Sequence, residues 1–328
     1  MRLRHGVAVC LALVSCNAVA QPASSGSAQA YPARPIRMLI PFPAGSAADI
    51  IARAMDPALR ERLGQALVID NRGGAGGNIA AELAAKSLPD GYTLMMATIG
   101  THAINVSLYS KLNYHPQKDF TPVTLVGDSP NAMVLNPTVP AKTVKEFIAL
   151  AKSRPGVLNF GSSSSGTTVH LAGELFSVMT GIKMIHVPYK GAAESLTALI
   201  SGETDLQFAS LSSSIPLIKS GRLRALGVTS PLRSPSLPEL PTIAELGLPG
   251  FAAVAWYGIV GPANLPANVV ATINKATLAS LEQQDVRKRL FSSGVEVRTL
   301  GPEEFVKYIE TEIQKWAKVV KMSGARAD

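Results

Sequence analysis

The chain has 328 residues, of which 47% are hydrophobic and 16% are charged. This composition excludes intrinsic disorder, a collagen-like sequence and a disulfide-stapled miniprotein, and the length favours two domains. The formal net charge is +8, but lysine and arginine are scattered and only 5% of the residues are aromatic. We therefore expect no nucleic acid as a partner, because a basic run interleaved with aromatic residues is missing.

The beginning of the sequence has the pattern of an export signal. A basic start at residues 1–5 precedes an uncharged apolar stretch at 6–19, and residues 18–20 satisfy the small-x-small cleavage rule. We therefore predict a signal peptide over residues 1–20, an N-terminal spacer over 21–33 and a periplasmic location. The apolar stretch is too short to span a membrane.

Both cysteines, Cys10 and Cys16, lie inside this predicted signal peptide. A mature chain that starts at Gln21 then has no cysteine, which excludes disulfides, thiol catalysis and cysteine-ligated metals. An alternative remains open, because residues 13–16 resemble a lipobox. Acylation of Cys16 would then tether a lipoprotein to a membrane.

From residue 35 onward, short apolar runs alternate with longer amphipathic ones. In chain order the first part predicts a strand at 36–41, a helix at 47–63, a strand at 66–70, a glycine-rich turn at 73–77, a helix at 78–86 and a strand at 92–98. The βαβαβ order favours a parallel sheet with helices on its faces.

A second set of elements begins after residue 122. Its strands are predicted at 132–135, 158–161, 184–187, 206–209 and 223–228, and its helices at 144–152, 168–179 and 193–200. After an irregular stretch at 230–250, the pattern predicts a strand at 256–260 and helices at 268–281, 285–292 and 302–322. These elements indicate two α/β lobes and a C-terminal helical portion that could return to the first lobe.

Loops that follow the predicted strands are the candidates for ligand binding, because open parallel sheets bind ligands beyond the carboxyl ends of their strands. The first loop, residues 41–46, leads through Gly45 and Ser46 to Asp49. Amides at such a helix start are unpaired, and they favour anions. The same residues also fit a purely structural role, with Ser46 as the helix cap and Asp49 in the first turn.

The second loop, residues 161–168, has the GxxxxG outline of a phosphate loop, but Thr167 stands where that motif requires lysine. Hydrolysis of nucleoside triphosphates is therefore not expected. The remaining amides and hydroxyls can hold a carboxylate through several donors at once. The third loop, residues 187–191, carries Tyr189 and Lys190 beside a helix start, where either side chain could face a ligand or solvent.

Patterns for catalysis and metal binding are weak. The four histidines beyond residue 20 have no metal-ligand spacing, and the glycine-rich turn lacks the third glycine of a dinucleotide fingerprint. We therefore expect no metal, no cofactor and no enzyme activity. The alternative is a secreted serine hydrolase that uses Ser163 or Ser165 with His170, although its GxSxG motif is incomplete.

Many motifs in the same order make the chain similar to the Bug family, the extracytoplasmic solute receptors of tripartite tricarboxylate transporters. The similarity runs from about residue 31 to residue 324. The motifs are YPARPI at 31–36, FPAG at 42–45, DNRGGAGGN at 70–78, PDGYTL at 89–94, FTPV at 120–123, the second loop with His170 and Leu171, VPYKG at 187–191, GETD at 202–205 and LPTIAE at 240–245.

The resemblance implies a type II periplasmic binding protein fold, in which two α/β lobes enclose a ligand cleft. It divides the chain into a first lobe at 34–125, a second lobe at 126–252 and a return to the first lobe at 253–328. Crossovers are then expected near residues 123–130 and 250–257.

The resemblance also implies a function: capture of a small carboxylate by lobe closure and delivery to a membrane transporter of the tripartite tricarboxylate type. The ligand would be an amino acid, a di- or tricarboxylate or an aromatic acid. A sensory binding protein without a transporter is the alternative. Where the family commonly has a second glycine, this chain has Ser46. The expected ligand-binding residues are Phe42, Pro43, Ala44, Gly45, Ser46, Asp49, Thr101, His102, Ser162, Ser163, Ser165, Gly166, Thr167, Tyr189 and Asp205.

Overall fold

The computed structural model describes residues 31–163, 166–189 and 191–327. The predicted signal peptide, Cys16 and most of the predicted spacer lie outside these residues. The strands are β1 (Ile36–Ile40), β2 (Leu67–Asn71), β3 (Thr93–Thr98), β4 (Phe120–Ser129), β5 (Asn131–Leu135), β6 (Asn159–Ser162), β7 (Ile185–Pro188), β8 (Leu206–Ser210), β9 (Arg224–Val228), β10 (Ala255–Pro262) and β11 (Glu296–Leu300).

The helices pack against the strands of the two sheets. They are α1 (Ala47–Leu63), α2 (Asn78–Ala85), α3 (Asn105–Leu108), α4 (Val144–Ser153), α5 (Thr168–Thr180), α6 (Ala192–Ser201), α7 (Leu211–Lys219), α8 (Ala267–Leu281), α9 (Gln284–Ser292) and α10 (Pro302–Ser323). A 3₁₀ turn at Ala75–Gly77 and a π-helical turn at Gly100–Ile104 precede α2 and α3. Among the described residues, no helix is long and apolar enough to cross a membrane.

The strands form one sheet of order β11-β4-β10-β3-β1-β2 and another of order β7-β6-β8-β5-β9. The predicted parallel pairing is found where β1 joins β2 and β3, and where β6 joins β7 and β8. The pairing is antiparallel where β10 meets β3 and β4 and where β5 meets β8 and β9. The parallel pairing predicted from the βαβαβ order is therefore found for β1, β2 and β3, and the antiparallel strands β4, β5 and β10 make both sheets mixed.

The antiparallel strands arise where the chain passes between the sheets. β4 stays in the first sheet up to Ser129, and β5 starts the second sheet at Asn131. The chain comes back through residues 252–257, which we call the return segment. In this segment the Ala253 N–H donates to the Thr229 carbonyl at 3.0 Å, while Ala255 already pairs with Ser129 of β4. The outgoing and returning strands lie side by side and run in opposite directions.

Helix α10 carries the C-terminal part of the chain onto the first sheet. Its buried positions follow a spacing of three and four residues, which places one stripe of the helix against the core. The helix packs on β4 of the first sheet and also contacts α3 and α5, the helix that follows β6 of the second sheet. The stripe is apolar except at one position, and its members are Phe305, Ile309, Glu312, Trp316, Val319 and Val320.

Candidate functional site

A cleft of about 380 Å³ lies where the loop after β1, the turn after β3, the start of α5 and the return segment meet. Ligand pockets in proteins are commonly of this size or somewhat larger, and mostly apolar. Its lining combines large apolar side chains with a few hydroxyl and amide groups. The lining residues are Phe42, Gly76, Thr98, Ile99, Gly100, Ile104, Asn105, Leu108, Tyr109, Gly166, Thr167, Thr168, Ala255, Trp256, Tyr257 and Ala327.

The first loop is held by the carboxylate of Asp49, which is only 2% exposed. The Gly45 N–H donates to Asp49 Oδ2 at 2.9 Å, the Asp49 N–H donates to Ser46 Oγ at 3.4 Å, and Arg53 Nε donates to both carboxylate oxygens at 3.0 Å. Burial alone would raise the pKa of Asp49, but the hydrogen bonds from Arg53 and Gly45 outweigh it and lower this pKa. The Asp49 carboxylate oxygens therefore accept hydrogen bonds from the loop backbone and from Arg53.

Of the predicted residues in this first loop, only Phe42 lines the cleft. Pro43, Ala44 and Gly45 are exposed, and Ser46 is half-buried as the N-cap of α1. The structure thus places the aromatic ring of the loop in the cleft, and the capping residues beside it.

The second loop repeats the arrangement of the first with different side chains. The Gly166 N–H donates to His170 Nδ1 at 3.0 Å, and the His170 N–H donates to Thr167 Oγ1 at 3.3 Å. Because Nδ1 accepts this hydrogen bond, it carries no proton in this arrangement. His170 Nε2 lies 3.5 Å from Glu174 Oε1. Gly166 and Thr167 both line the cleft.

A stack of three aromatic rings, Phe160, His186 and His170, packs next to the second loop. The His170 and His186 rings lie 3.7 Å apart with 15° between their planes, and Phe160 continues the stack. His186 Nε2 lies 2.7 Å from Ser162 Oγ. Burial, followed by the neighbouring His170, lowers the pKa of His186 to about 4. The ring of His186 is therefore neutral at physiological pH.

The described serines of the second loop, Ser162 and Ser163, do not line the cleft. Ser162 is fully buried, and the carbonyl of half-buried Ser163 accepts the Gly191 N–H at 3.0 Å. Ser165 lies outside the described residues. Because His170 directs Nδ1 to Gly166 and Nε2 towards Glu174, the arrangement does not favour the hydrolase alternative.

Thr101 and His102 are buried, and neither lines the cleft. Thr101 Oγ1 is 2.9 Å from His102 Nδ1 and accepts the Thr98 N–H at 3.1 Å. His102 is fully buried, which lowers its pKa to about 3, and its ring contacts Phe120 edge-on at 4.5 Å. Both residues therefore support the turn after β3 in this structure.

Tyr189 and Asp205 have partners away from the cleft. The Tyr189 hydroxyl donates to Glu203 Oε1 at 2.8 Å, and burial together with Glu203 raises its pKa to about 12. Asp205 Oδ2 accepts the Asn159 N–H at 2.9 Å. Since Asn159 and Asp205 stand at the amino ends of parallel strands β6 and β8, Asp205 lies at the opposite end of the sheet from the second loop.

The cleft also contains residues that the sequence prediction missed. The turn after β3 contributes Gly100 and Asn105, whose Nδ2 donates to the Gly76 carbonyl at 3.0 Å. Gly76 has φ of +63°, and a Cβ there would lie 2.7 Å from Tyr109 Oη, so this position requires glycine. Gly100 follows strand β3, so the criterion used above, that ligands bind at loops after strands, also predicts this turn.

The cleft chemistry suits a small anion with an apolar body. Among its described lining residues no side chain carries a charge, and the polar groups are hydroxyls, amides and backbone. The N-terminal end of α5 reaches the cleft through Thr167 and Thr168, and a helix N-terminus attracts negative charge. Among the described residues, no group of acidic, histidine or cysteine side chains could hold a metal ion.

Comparison with known proteins gives a consistent result. Residues 51–325 match the model of the "Tripartite tricarboxylate transporter family receptor". Protein BugT of Bordetella pertussis is 36% identical over 94% of this chain and 95% of its own. The R. palustris protein Rpa4515 with adipate is 38% identical, with a TM-score of 0.75 over 90% of this chain and 99% of its own.

A further solved structure is MatC (Rpa3494) of Rhodopseudomonas palustris with bound malate. It is 33% identical, with a TM-score of 0.72 over 88% of this chain and all of its own. The two-lobed α/β fold of periplasmic binding proteins is thereby confirmed. The chain belongs to the tripartite tricarboxylate transporter receptor family, as the motifs of its sequence predict.

Proposed function

We propose that this receptor captures a small carboxylate in the cleft by closure of its lobes, and delivers it to a membrane transporter of the tripartite tricarboxylate type. The observation that carries the proposal is the cleft itself, where Gly166, Thr167 and Thr168 present a helix start beside apolar walls. Relatives with adipate and with malate support the same chemistry. Phe42 would cover the body of the ligand, and the helix start would hold a carboxylate group.

Lobe closure follows from the position of the cleft. A ligand that contacts both Phe42 of the first loop and Thr167 of the second favours the state in which the two loops are close. The candidate ligands are amino acids, di- or tricarboxylates and aromatic acids. We propose that the chain is a binding protein and not an enzyme, because its family is a receptor family and its structural neighbours include binding proteins.

Receptors of this family are periplasmic. We propose that residues 1–20 direct export, with acylation of Cys16 as the alternative anchor. The mass of the N-terminal peptide of the mature protein distinguishes the two, because acylation adds the mass of a lipid to a chain that starts at Cys16.

The test is a thermal melt of the mature protein against mono-, di- and tricarboxylates, aromatic acids and amino acids, with adipate and malate included. A ligand at 100 times its Kd adds about 2.7 kcal/mol to the free energy of unfolding, which is a readily visible shift. A selective shift by one acid supports the proposal. If no acid shifts the melt and the denatured protein releases no small molecule, the carboxylate proposal is wrong.

A matched pair of variants tests the position of the site. Thr168→Val removes a hydroxyl at the cleft, while Thr311→Val removes one from the exposed face of α10. A hydrogen bond to a charged group contributes about 1.5 to 3 kcal/mol, so Thr168→Val should weaken binding by roughly tenfold or more. Thr311→Val should leave the Kd unchanged. Equal affinities for both variants would move the site away from the start of α5.

A further inference from the structure

The C-terminal helix α10 carries a buried carboxylate in its otherwise apolar stripe. Glu312 is 4% exposed and lies between the return segment and the rest of α10. Its Oε2 accepts the indole N–H of Trp316 at 3.0 Å and that of Trp256 at 3.3 Å, and Lys315 Nζ donates to Oε1. A buried carboxylate is costly unless its lone pairs are occupied, and here three donors occupy them.

Two of these contacts reach the return segment. Trp256 belongs to it, and Lys315 Nζ also donates to the Ala252 carbonyl at 3.1 Å. The Trp256 side chain is fully buried and packs edge-on against Phe305 at 5.6 Å and Tyr308 at 5.7 Å. Glu312 therefore holds Trp256 to α10 directly, and Lys315, which it binds, holds Ala252.

The same segment forms one wall of the cleft. Ala255, Trp256 and Tyr257 line it, and their strand pairs with β4 at the place where β4 leaves the first sheet. Movement of this segment would change the wall against which a ligand packs. It would also change the strands about which the lobes move relative to one another.

We propose that Glu312 is a positioning residue of the ligand cleft, which fixes the return segment against α10 through Trp256 and Lys315. The segment then keeps its place when the lobes close. The part of this inference that concerns ligand affinity rests on the proposed function, whereas the positioning of the segment does not. Glu312 itself contacts no ligand.

The test compares Glu312→Gln with Glu310→Gln, which makes the same change on the exposed face of the same helix. Glutamine keeps the size of the side chain and one acceptor oxygen, but its NH2 group cannot accept, so either the two indole N–H groups at Oε2 or Lys315 at Oε1 lose their partner. Hydrogen exchange of residues 252–257 without ligand should be at least tenfold faster in Glu312→Gln, and unchanged in Glu310→Gln. Adipate, used as the probe, should bind at least tenfold more weakly to Glu312→Gln.

The two measurements separate the possible failures. If the unaltered protein binds no carboxylate, the proposed function fails and hydrogen exchange alone decides the role of Glu312. If Glu312→Gln lowers the melting temperature but leaves exchange of residues 252–257 and the adipate Kd within twofold, Glu312 is a packing residue only and the inference is overturned. Should Glu312→Gln not fold, Lys315→Met keeps the carboxylate and every side chain of the cleft wall, and removes the donor that reaches Ala252. It should change both quantities in the same direction, by about threefold.

Discussion

The first and second loops share one capping geometry and differ in the group that completes it. In both, a glycine with positive φ, Gly45 at +83° or Gly166 at +75°, donates its N–H to a side chain four residues later. That side chain is the anionic Asp49 in the first loop and the ring of His170 in the second. The second loop lines the cleft through Gly166 and Thr167, and an imidazole there in place of a carboxylate would avoid repulsion of the proposed carboxylate ligand. The same backbone turn therefore occurs in the second loop, which lines the cleft, and in the first loop beside it. The two loops differ in whether the acceptor is a carboxylate or an imidazole.

The two loops should lose their stabilising interactions at different pH values, and this is the largest effect on stability that we expect. The pKa of His186 beneath the second loop is lowered from 6.5 to about 4, so between these values the unfolded chain binds a proton that the folded chain does not. The contribution of His186 to the free energy of unfolding is full above about pH 6.5 and falls by up to about 3 kcal/mol as the pH decreases to about 4. Buried His102, whose pKa is lowered to about 3, adds a loss of its own in the same range. The pKa of Asp49 is lowered from 3.8, so the first loop loses its stabilisation only below that pH.

Urea denaturation at pH 8, 6 and 4 measures this difference. His186→Phe keeps a ring in the stack with Phe160 and His170 but cannot be protonated. The loss of stability between pH 6.5 and 4 should be smaller in this variant by the contribution of His186. An equally steep loss in the variant and in the unaltered protein would assign the acid sensitivity to other groups.

Removal of the Asp49 carboxylate from the first loop should lower the free energy of unfolding by about 2 kcal/mol. Asp49→Ala leaves the Gly45 N–H without its partner and the guanidinium of Arg53 without its counter-ion, although Arg53 is half-exposed and regains water. Asp285→Ala is the control, because Asp285 stands exposed in the first turn of α9. There we expect about 0.5 kcal/mol, from the helix dipole alone. Similar midpoints of chemical denaturation for both variants would show that Asp49 is not what holds the loop.

The sequence predicts the capped loops well because their signals are local. Helix α1 has the predicted bounds, with Ser46 before it, Asp49 in its first turn and Gly64 after it. The fold class and the family follow from motifs spread along the whole chain. Helix α7, for which no element is predicted, contains Pro216 after a run of serines, and these residues hide its pattern.

The cleft is harder to predict because its walls come from segments far apart in sequence. The return segment and Ala327 lie beside Leu108 only through the topology of the sheets; the Ala327 N–H donates to the Leu108 carbonyl at 3.2 Å. A sequence motif also does not show at which end of a strand its residues lie. Asp205 is part of a motif, yet it lies at the end of β8 away from the cleft.

Alanine at the two loop glycines should distinguish a backbone requirement from a contact between lobes. Both positions have positive φ, so each substitution should cost about 1 kcal/mol. A Cβ on Gly45 meets no atom within 4 Å, whereas one on Gly166 lies 2.7 Å from Leu108 Cδ2. Only Gly166→Ala should therefore also weaken ligand binding. The added change Leu108→Ala should restore part of that affinity, and a double-mutant cycle measures the coupling. Additive effects would show that the contact plays no part in closure.

The smallest effect concerns the hydroxyl caps. Ser46 and Thr167 accept the N–H of Asp49 and of His170 at 3.4 and 3.3 Å, which are long hydrogen bonds, so alanine at either position should cost about 0.5 to 1 kcal/mol. The two variants should differ in binding, because Thr167 lines the cleft and Ser46 does not. Thr167→Ala should weaken the binding of a carboxylate severalfold, and Thr167→Ser, which keeps the hydroxyl, should restore it. If Ser46→Ala weakened binding as much as Thr167→Ala, the first loop would hold the ligand by its cap as well, and the division of roles between the two loops would be wrong.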